Sequence, residues 1–364
     1  MAKWKECLLG DVVNLKRGYD LPHNARSSGP YPVISSSGIT DHHSEAKVKG
    51  PGVVTGRYGT LGQVFFVQND YWPLNTSLYV EDFKGNDPRF ISYFLGTLHF
   101  GSHNAAGAVP GINRNHLHAL RVNIPPLPTQ RRIASILSAY DELIENSQRR
   151  IKILETMARA LYREWFVHFR FPGHENVPRV PSALGEIPQG WEVGRLDNAL
   201  VLQRGFDLPK SDRVEGDIPI FAATGITGFH SEAKVKAPGV VTGRSGTIGE
   251  VIYVQEDYWP LNTALWVKEF PRSEPLYAYY LLASINLKQF NSGAAVPTLN
   301  RNDVHSLEVI IPPRNLQKQF QEIAGAMFKG SRALQRQIQT LRRTRDLLLP
   351  RLLSGQIAVE ALPA

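Results

Sequence analysis

One cysteine, Cys7, is all that the 364 residues contain. Disulfides and cysteine-based metal sites within the chain are thereby excluded. Long apolar runs are missing as well. No stretch approaches the ~18 consecutive apolar residues of a membrane span, and the opening MAKWKECLLGDVV lacks the apolar core of a signal peptide. The expectation is a soluble, cytoplasmic protein with no membrane association. Catalytic signatures are also missing. There is no Walker A pattern and no GxGxxG following a strand, no GxSxG elbow and no HExxH. GRYGTLG and GRSGTIG are rich in glycine but carry no phosphate-loop lysine, so they read as turns. His42 with His43, His99 with His103, and His116 with His118 make pairs without a third ligand at a sensible spacing, so no metal site is expected.

Negative charge is in the minority. Lys and Arg number 41 against 33 Asp and Glu, a formal net charge of +8, which favours a polyanionic partner, nucleic acid before membrane. The apolar and aromatic content suits folded domains with real cores, and the length allows two or three of them.

What the chain does have is a duplication. At a constant offset of 187, Trp4 matches Trp191 and Arg17-Gly18 matches Arg204-Gly205. Gly38-Ile39-Thr40 matches Gly225-Ile226-Thr227. HSEAKVK from His43 returns unchanged from His230, PGVVTGR from Pro51 returns from Pro238, and DYWPLNT from Asp70 returns from Asp257. Asn113-Arg114-Asn115 and Pro125-Pro126 return as Asn300-Arg301-Asn302 and Pro312-Pro313. No gap is needed, and a period this long means duplicated domains rather than a short-unit solenoid.

Each repeat ends in a long helix. In residues 129–168 the apolar positions Ile133, Leu137, Tyr140, Ile144, Ile151, Leu154, Ala158, Leu161 and Trp165 alternate steps of four and three, with Ser147 the one polar member. That is the 3.5-residue seam of a coiled coil, and the stretch is roughly 60 Å long at ~1.5 Å per residue. The same register recurs from Phe320 to Leu352, with Ser331 and Arg345 polar. Two such helices predict mutual antiparallel packing about an internal two-fold axis. Ahead of the first helix, strands are predicted at 31–34, 53–55, 64–67, 77–80 and 120–124, with a tight turn at 57–62 and a short helix at 89–98. The fold class is therefore α+β. Residues 1–127 and 191–314 form two homologous mixed α/β domains, separated by long helices at 128–170 and 315–356. A Pro- and Gly-rich connector fills 171–190, and 357–364 is a tail.

The polar residues of the globular parts suit DNA contact. Lys47, Lys49 and Arg57, with Lys234, Lys236 and Arg244, can neutralise phosphates, although a solvated face accounts for lysines equally well. Arg57 and Arg244, on turns with Thr60 and Thr247, can instead read guanine through paired donors. Asn113, Asn115, Asn300 and Asn302 can pair with adenine edges. Arg17, Thr40, His43, Tyr58 and Arg114, with Arg204, Thr227, His230, Ser245 and Arg301, complete the candidate set at matching positions. Asn75-Thr76 and Asn262-Thr263 read as structural turns, and Trp72 and Trp259 as core.

Two variable domains alternating with two long helices, IPPLPTQRRIASIL and IPPRNLQKQFQEIA after the domains, GEIPQGWEV before the second domain, and the GRYGT-type and DYWPLNT segments together resemble the specificity subunits of type I restriction–modification enzymes. The likeness covers essentially the whole chain. It implies two target recognition domains, each reading half of a bipartite site in double-stranded DNA, and helices that fix the gap. It further implies two methyltransferase subunits docked on the helices and restriction subunits joined through them. S-adenosylmethionine and ATP would belong to those partners, leaving this chain non-catalytic and without a cofactor of its own. Because the two domains are close relatives, the resemblance points to a near-palindromic, gapped target. Differences between its halves are expected to map to residues 26–37 against 213–224, Tyr58 against Ser245, and 99–108 against 286–295. A stand-alone DNA-binding regulator or architectural protein would need no methyltransferase, and a single-chain enzyme would act alone. Copurification of a methyltransferase separates the first of these from a specificity subunit.

Overall fold

The computed structural model describes residues 4–98, 111–293 and 295–359. The chain divides into two compact units, residues 1–148 with 336–364, and residues 149–335.

In the first unit the order is β1 (Lys5–Leu8), α1 (Leu9–Val12), β2 (Asn14–Arg17), β3 (Tyr31–Ser35), β4 (Gly38–His43), β5 (Gly52–Gly56), β6 (Val64–Val67), β7 (Trp72–Pro73), β8 (Ser77–Asp82), α2 (Pro88–Thr97), α3 (Arg114–His118) and β9 (Arg121–Ile124). The helix α4 (Leu127–Tyr162) follows. An antiparallel sheet runs β2-β8-β5-β6, and a second sheet runs β4-β3-β7, with β3 and β7 parallel. β5 is GVVTG, buried at every position. Its β-branched residues suit a strand covered on both faces. α2 starts where Asp87 accepts a hydrogen bond from Phe90 N at 2.8 Å and Pro88 takes the first helical position, the usual chemistry of a helix N-terminus. Its buried face of Phe90, Ile91, Phe94 and Leu95 joins a core with Ile133 and Leu137 of α4. Burying each such side chain stabilises by about 1.5–3 kcal/mol. Leu352 and Leu353, at the end of α8 (Arg314–Leu353), and Val359 close the same core.

The second unit repeats this plan. It has β10 (Arg179–Ser182), β11 (Gly185–Pro188), β12 (Glu192–Arg195), α5 (Leu196–Ala199), β13 (Val201–Arg204), β14 (Ile218–Ala222), β15 (Gly225–His230), β16 (Gly239–Gly243), β17 (Val251–Val254), β18 (Trp259–Pro260), β19 (Ala264–Glu269), α6 (Pro275–Ser284), α7 (Arg301–His305) and β20 (Glu308–Ile311). The sheet orders β13-β19-β16-β17 and β15-β14-β18 match those of the first unit. Its core is aromatic where α4 meets α6 and α8. The Phe166 ring lies 5.0 Å from that of Tyr277 and 5.2 Å from that of Phe320.

All ten seam positions of each long helix are buried or half-buried. Within the second unit the helices run antiparallel. Leu154 faces Gly330, and eight residues further along α4, Tyr162 meets Phe320 edge-on, ten residues earlier in α8. Within the first unit, Arg345 on the α8 seam is satisfied by Asp141, at 2.6 Å.

Two expectations need revision. The first long helix is α-helical only to Tyr162, then widens into a π-helical turn over Arg163–Val167 and stops at His168. Phe169 adopts a positive φ of 60°, which an α-helix cannot continue. The connector, in turn, is folded. β10 and β11 form a hairpin, and Phe171 and Ile187 are buried beside Trp191. Gly173, Gly185 and Gly190 take positive φ at its bends, and Pro181 and Pro188 lie within the paired strands, so the segment is not a flexible tether.

Candidate nucleic-acid interface

A cleft of about 770 Å³ opens in the first unit, lined by the end of β2, the turn after β5 and the start of α3. It gathers Lys16, Arg17, Tyr19, Asp20, Arg57, Tyr58, Asn113 and Arg114. Lys16 and Arg17 have carboxylate partners there, whereas no carboxylate pairs with Arg57 or Arg114 among the ion pairs of the described residues, which leaves a positive balance that attracts anions, and Tyr58, 42 % exposed, adds an aromatic face.

The frame of this cleft is the LNT end of DYWPLNT. The Thr76 carbonyl accepts from the amides of Arg57 and Tyr58 at 2.9 and 3.1 Å. Asn75 donates through its backbone to the Tyr19 carbonyl at 3.0 Å and through its side chain to Asp20. Asp20 in turn pairs with Arg17 at 3.1 Å. The Ile112 amide donates to the Arg57 carbonyl at 2.9 Å and so ties in the approach to α3. Glycine is required twice. A Cβ on Gly18 would lie 2.2 Å from the Leu74 carbonyl oxygen, and one on Gly56 would lie 1.8 Å from that of Thr60. Lys16 is neutralised by Glu81 at 2.5 Å, and that bond raises its pKa. Burial, helped by a 3.0 Å hydrogen bond to Tyr19, pushes the Tyr79 phenol well up, so it stays neutral beneath the cleft.

The second unit carries the same frame. Arg244 and Ser245 donate to the Thr263 carbonyl at 2.8 and 3.1 Å, Asn262 holds Asp207, and the Leu299 amide donates to the Arg244 carbonyl at 2.8 Å. Arg204 stands 3.5 Å from Asp207. Gly205 and Gly243 meet the same obstacles, at 2.2 and 1.8 Å.

Not all the sequence candidates meet here. Arg17, Arg57, Tyr58, Asn113 and Arg114 do, and Arg204, Arg244, Ser245, Asn300 and Arg301 occupy the matching positions. Thr60 and Thr247 are exposed on the glycine turns. Asn113 spends its side-chain oxygen capping α3 on the Asn115 amide at 3.0 Å, and Asn300 does the same for Asn302 at 3.1 Å. The HSEAKVK segment lies elsewhere, and its identity between repeats has a structural cause. His43 and His230 are buried, so neither offers an edge to DNA. Each ring sits edge-on to a tryptophan, Trp72 or Trp259, at 5.2 Å, and each Nδ1 accepts a backbone amide, from Ser27 at 3.1 Å or Val214 at 3.0 Å. Lys47 and Lys234 cap the same indoles at 5.0 and 4.9 Å, a cation–π contact that leaves the ammonium at the surface. Lys49 is exposed, and Lys236 pairs with Asp257 at 2.5 Å. Thr40 and Thr227 are exposed on β4 and β15, with their hydroxyls donating to the carbonyls of Val33 and Ile220.

Tyr19, Asp20 and Lys16 escaped sequence reasoning, although Asp20 recurs as Asp207 beside the repeated Arg-Gly pair. His118 also has a counterpart, His305, at the same offset. Each Nε2 accepts a backbone amide at 2.9 Å, from Leu15 or Leu202, which is scaffold rather than metal chemistry. Among the described residues no three His, Cys, Asp or Glu side chains converge as a metal site, and no helix is long and apolar enough to cross a membrane. His99, His103 and the divergent stretch 99–108 lie outside the described residues.

Comparison with known proteins follows the duplication. The family model described as the type I restriction modification DNA specificity domain matches residues 1–156 and again residues 188–341. The MjaIX type I restriction enzyme specificity subunit of Methanocaldococcus jannaschii is 25 % identical over 348 residues, covering 86 % of this chain and 79 % of that protein. The HindI specificity subunit of Haemophilus influenzae is 22 % identical over 467 residues, covering 98 % and 100 %. The crystal structure of a type I restriction–modification S subunit from M. genitalium superposes with a TM-score of 0.73 at 17 % identity, over 97 % of this chain and 96 % of that one. With two consecutive copies of the domain and that fold, this chain belongs to the type I restriction–modification specificity subunits.

Proposed function

We propose that each cleft reads one half of a bipartite, gapped site in double-stranded DNA, and that the chain is the non-catalytic, sequence-reading part of its complex. The observation that carries this reading is the recurrence of one cleft frame in both units. Arg-Gly at the end of a strand, Gly-Arg at a turn and Asn-Arg-Asn at a helix start are tied together by the same Asn-Thr pair. Arg17, Arg114, Arg204 and Arg301 are exposed and suit phosphate contact. Arg57, half-buried and fixed by its own backbone, suits a base edge, and Arg244 occupies the matching place in the second unit. Since the frames match, the half-sites are near-palindromic. The seams of α4 and α8 set the gap, and the outer faces of these helices dock two methyltransferase subunits, through which restriction subunits join. S-adenosylmethionine and ATP act on those partners. The cytoplasm, where the DNA is, is the compartment this reading requires.

The test is coexpression with the cognate methyltransferase subunit, copurification, and methylome sequencing. The expected result is a complex and a gapped adenine-methylated motif that vanishes when this chain is deleted. Unchanged methylation, together with DNA binding by the isolated chain, would favour the stand-alone regulator instead.

A further inference from the structure

Besides Lys16 against Gln203 and Tyr19 against Phe206, the two cleft frames differ at one pair of facing positions that touches the turn arginines. In the first unit Tyr58 forms a backbone bridge with Gly111, and in the second the same bridge joins Ser245 and Thr298. The exchange is compensated in space. A Cβ on Gly111 would lie 2.6 Å from Cε1 of the Tyr58 ring, so the ring fills the place of a side chain at 111. Thr298 fits only opposite a small residue such as Ser245. The neighbouring arginines answer this exchange. The Arg57 guanidinium lies over the Tyr58 ring, 4.4 Å from its centroid. Arg244 has no such ring and turns back, with Nη1 donating to the Asn262 carbonyl at 3.2 Å. A guanidinium stacked on an aromatic face keeps its donor edge free and aligned, which is the arrangement that matches the two acceptors of guanine in the major groove. A guanidinium folded onto a carbonyl has committed one of those donors.

We infer that the pair Tyr58–Gly111 against Ser245–Thr298 sets a base position at which the two half-sites differ. The first domain demands guanine there through Arg57, and the second does not. This rests on the reading of the clefts as half-site readers. Tyr58 and Gly111 act as positioning residues that hold Arg57, and Arg57 makes the contact.

The experiment is methylome sequencing of the complete complex with its methyltransferase subunit, in a host without adenine methylation of its own. The wild-type motif is expected to be near-palindromic, with a guanine in one half that has no counterpart in the other. Y58S/G111T is expected to remove that guanine requirement, and S245Y/T298G to impose one on the opposite half. Arg57→Lys is a change at a half-buried surface position that leaves the core untouched, so it serves as the check should a swapped complex fail to assemble. It keeps the charge and loses the fork, and is expected to cut discrimination at that base about 5- to 150-fold. A motif unchanged by the swaps, or an Arg57→Lys complex that weakens evenly on all sequences as a phosphate contact would, overturns the inference while leaving half-site reading intact. No gapped motif from the wild-type complex overturns both.

Discussion

The seam of the long helices contains a natural substitution experiment. In the first unit Arg345 of α8 donates to Asp141 of α4 at 2.6 Å, and Tyr93 of α2 donates to the same carboxylate. Adding 187 to Tyr93 and Asp141 gives Tyr280 and Phe328, and subtracting it from Arg345 gives Ala158. The polar trio is therefore replaced in the second unit by an aromatic pair 6.3 Å apart and a buried alanine. Arg345 and Asp141 are 28 % and 32 % exposed, so the pair is desolvated enough to matter without being fully buried. Removing Arg345 alone strands a carboxylate with one donor. That costs about 1–3 kcal/mol, less than the ~3–5 of a fully buried pair. The double variant D141F/R345A rebuilds the other repeat and is expected within about 1 kcal/mol of wild type, because apolar replacement of such pairs is often neutral. The coupling energy of the cycle is then about 1–3 kcal/mol in favour of the double variant. In melting experiments a 1 kcal/mol loss in a unit of this size lowers Tm by about 2–4 °C, so calorimetry resolves each kcal/mol by which R345A falls below the double variant. A double variant as unstable as the sum of its two single variants would refute the equivalence of the two seams.

Three further outcomes follow from the geometry. Burial holds His118 and His305 below the usual 6.5, so the unfolded chain binds protons first on acidification. Stability is full above about pH 6.5 and falls as pH drops below it, and H118Q with H305Q is expected to flatten that fall in urea midpoints taken at pH 7.5 and 5.5. Gly56→Ala and Gly243→Ala push a methyl into a carbonyl oxygen at 1.8 Å. Each is expected to lower specific DNA affinity about tenfold or more with circular dichroism unchanged, and unaltered affinity would show that the turn is not part of the reader. Inserting four residues in both long helices is expected to shift the tolerated gap between half-sites about a helical turn apart, roughly 34–36 Å. Changed half-sites in the resulting methylome would show that the helices do not set the gap.

Periodic features were the most legible in the sequence. The 3.5-residue seams end up buried because a long helix can hide only a narrow stripe from water, and each of the five expected strands overlaps an observed one. The two-residue strand β7 could not be foreseen, since Trp72-Pro73 pairs with β3 only once forty residues of chain have folded back. The HSEAKVK segment misled for a related reason. Letter-for-letter repetition looks like a shared ligand, but a histidine, a lysine and an indole locked together tolerate change as poorly as a binding site does. Asn75 was read correctly as a turn residue, yet its partner Asp20 lies 55 positions away, beyond the reach of any local pattern.

The division of the chain also bears on time. The second unit is contiguous, residues 149–335, whereas the first is completed only by residues 336–359. At a synthesis rate of ~5–20 residues per second, the first unit waits about 10–40 s between the end of its main segment and the arrival of the next. Throughout that wait the places of Leu352, Leu353 and Val359 stand open to water. The unit that is begun first is the last to be finished on the ribosome, and a premature stop late in the message damages the beginning of the protein rather than its middle.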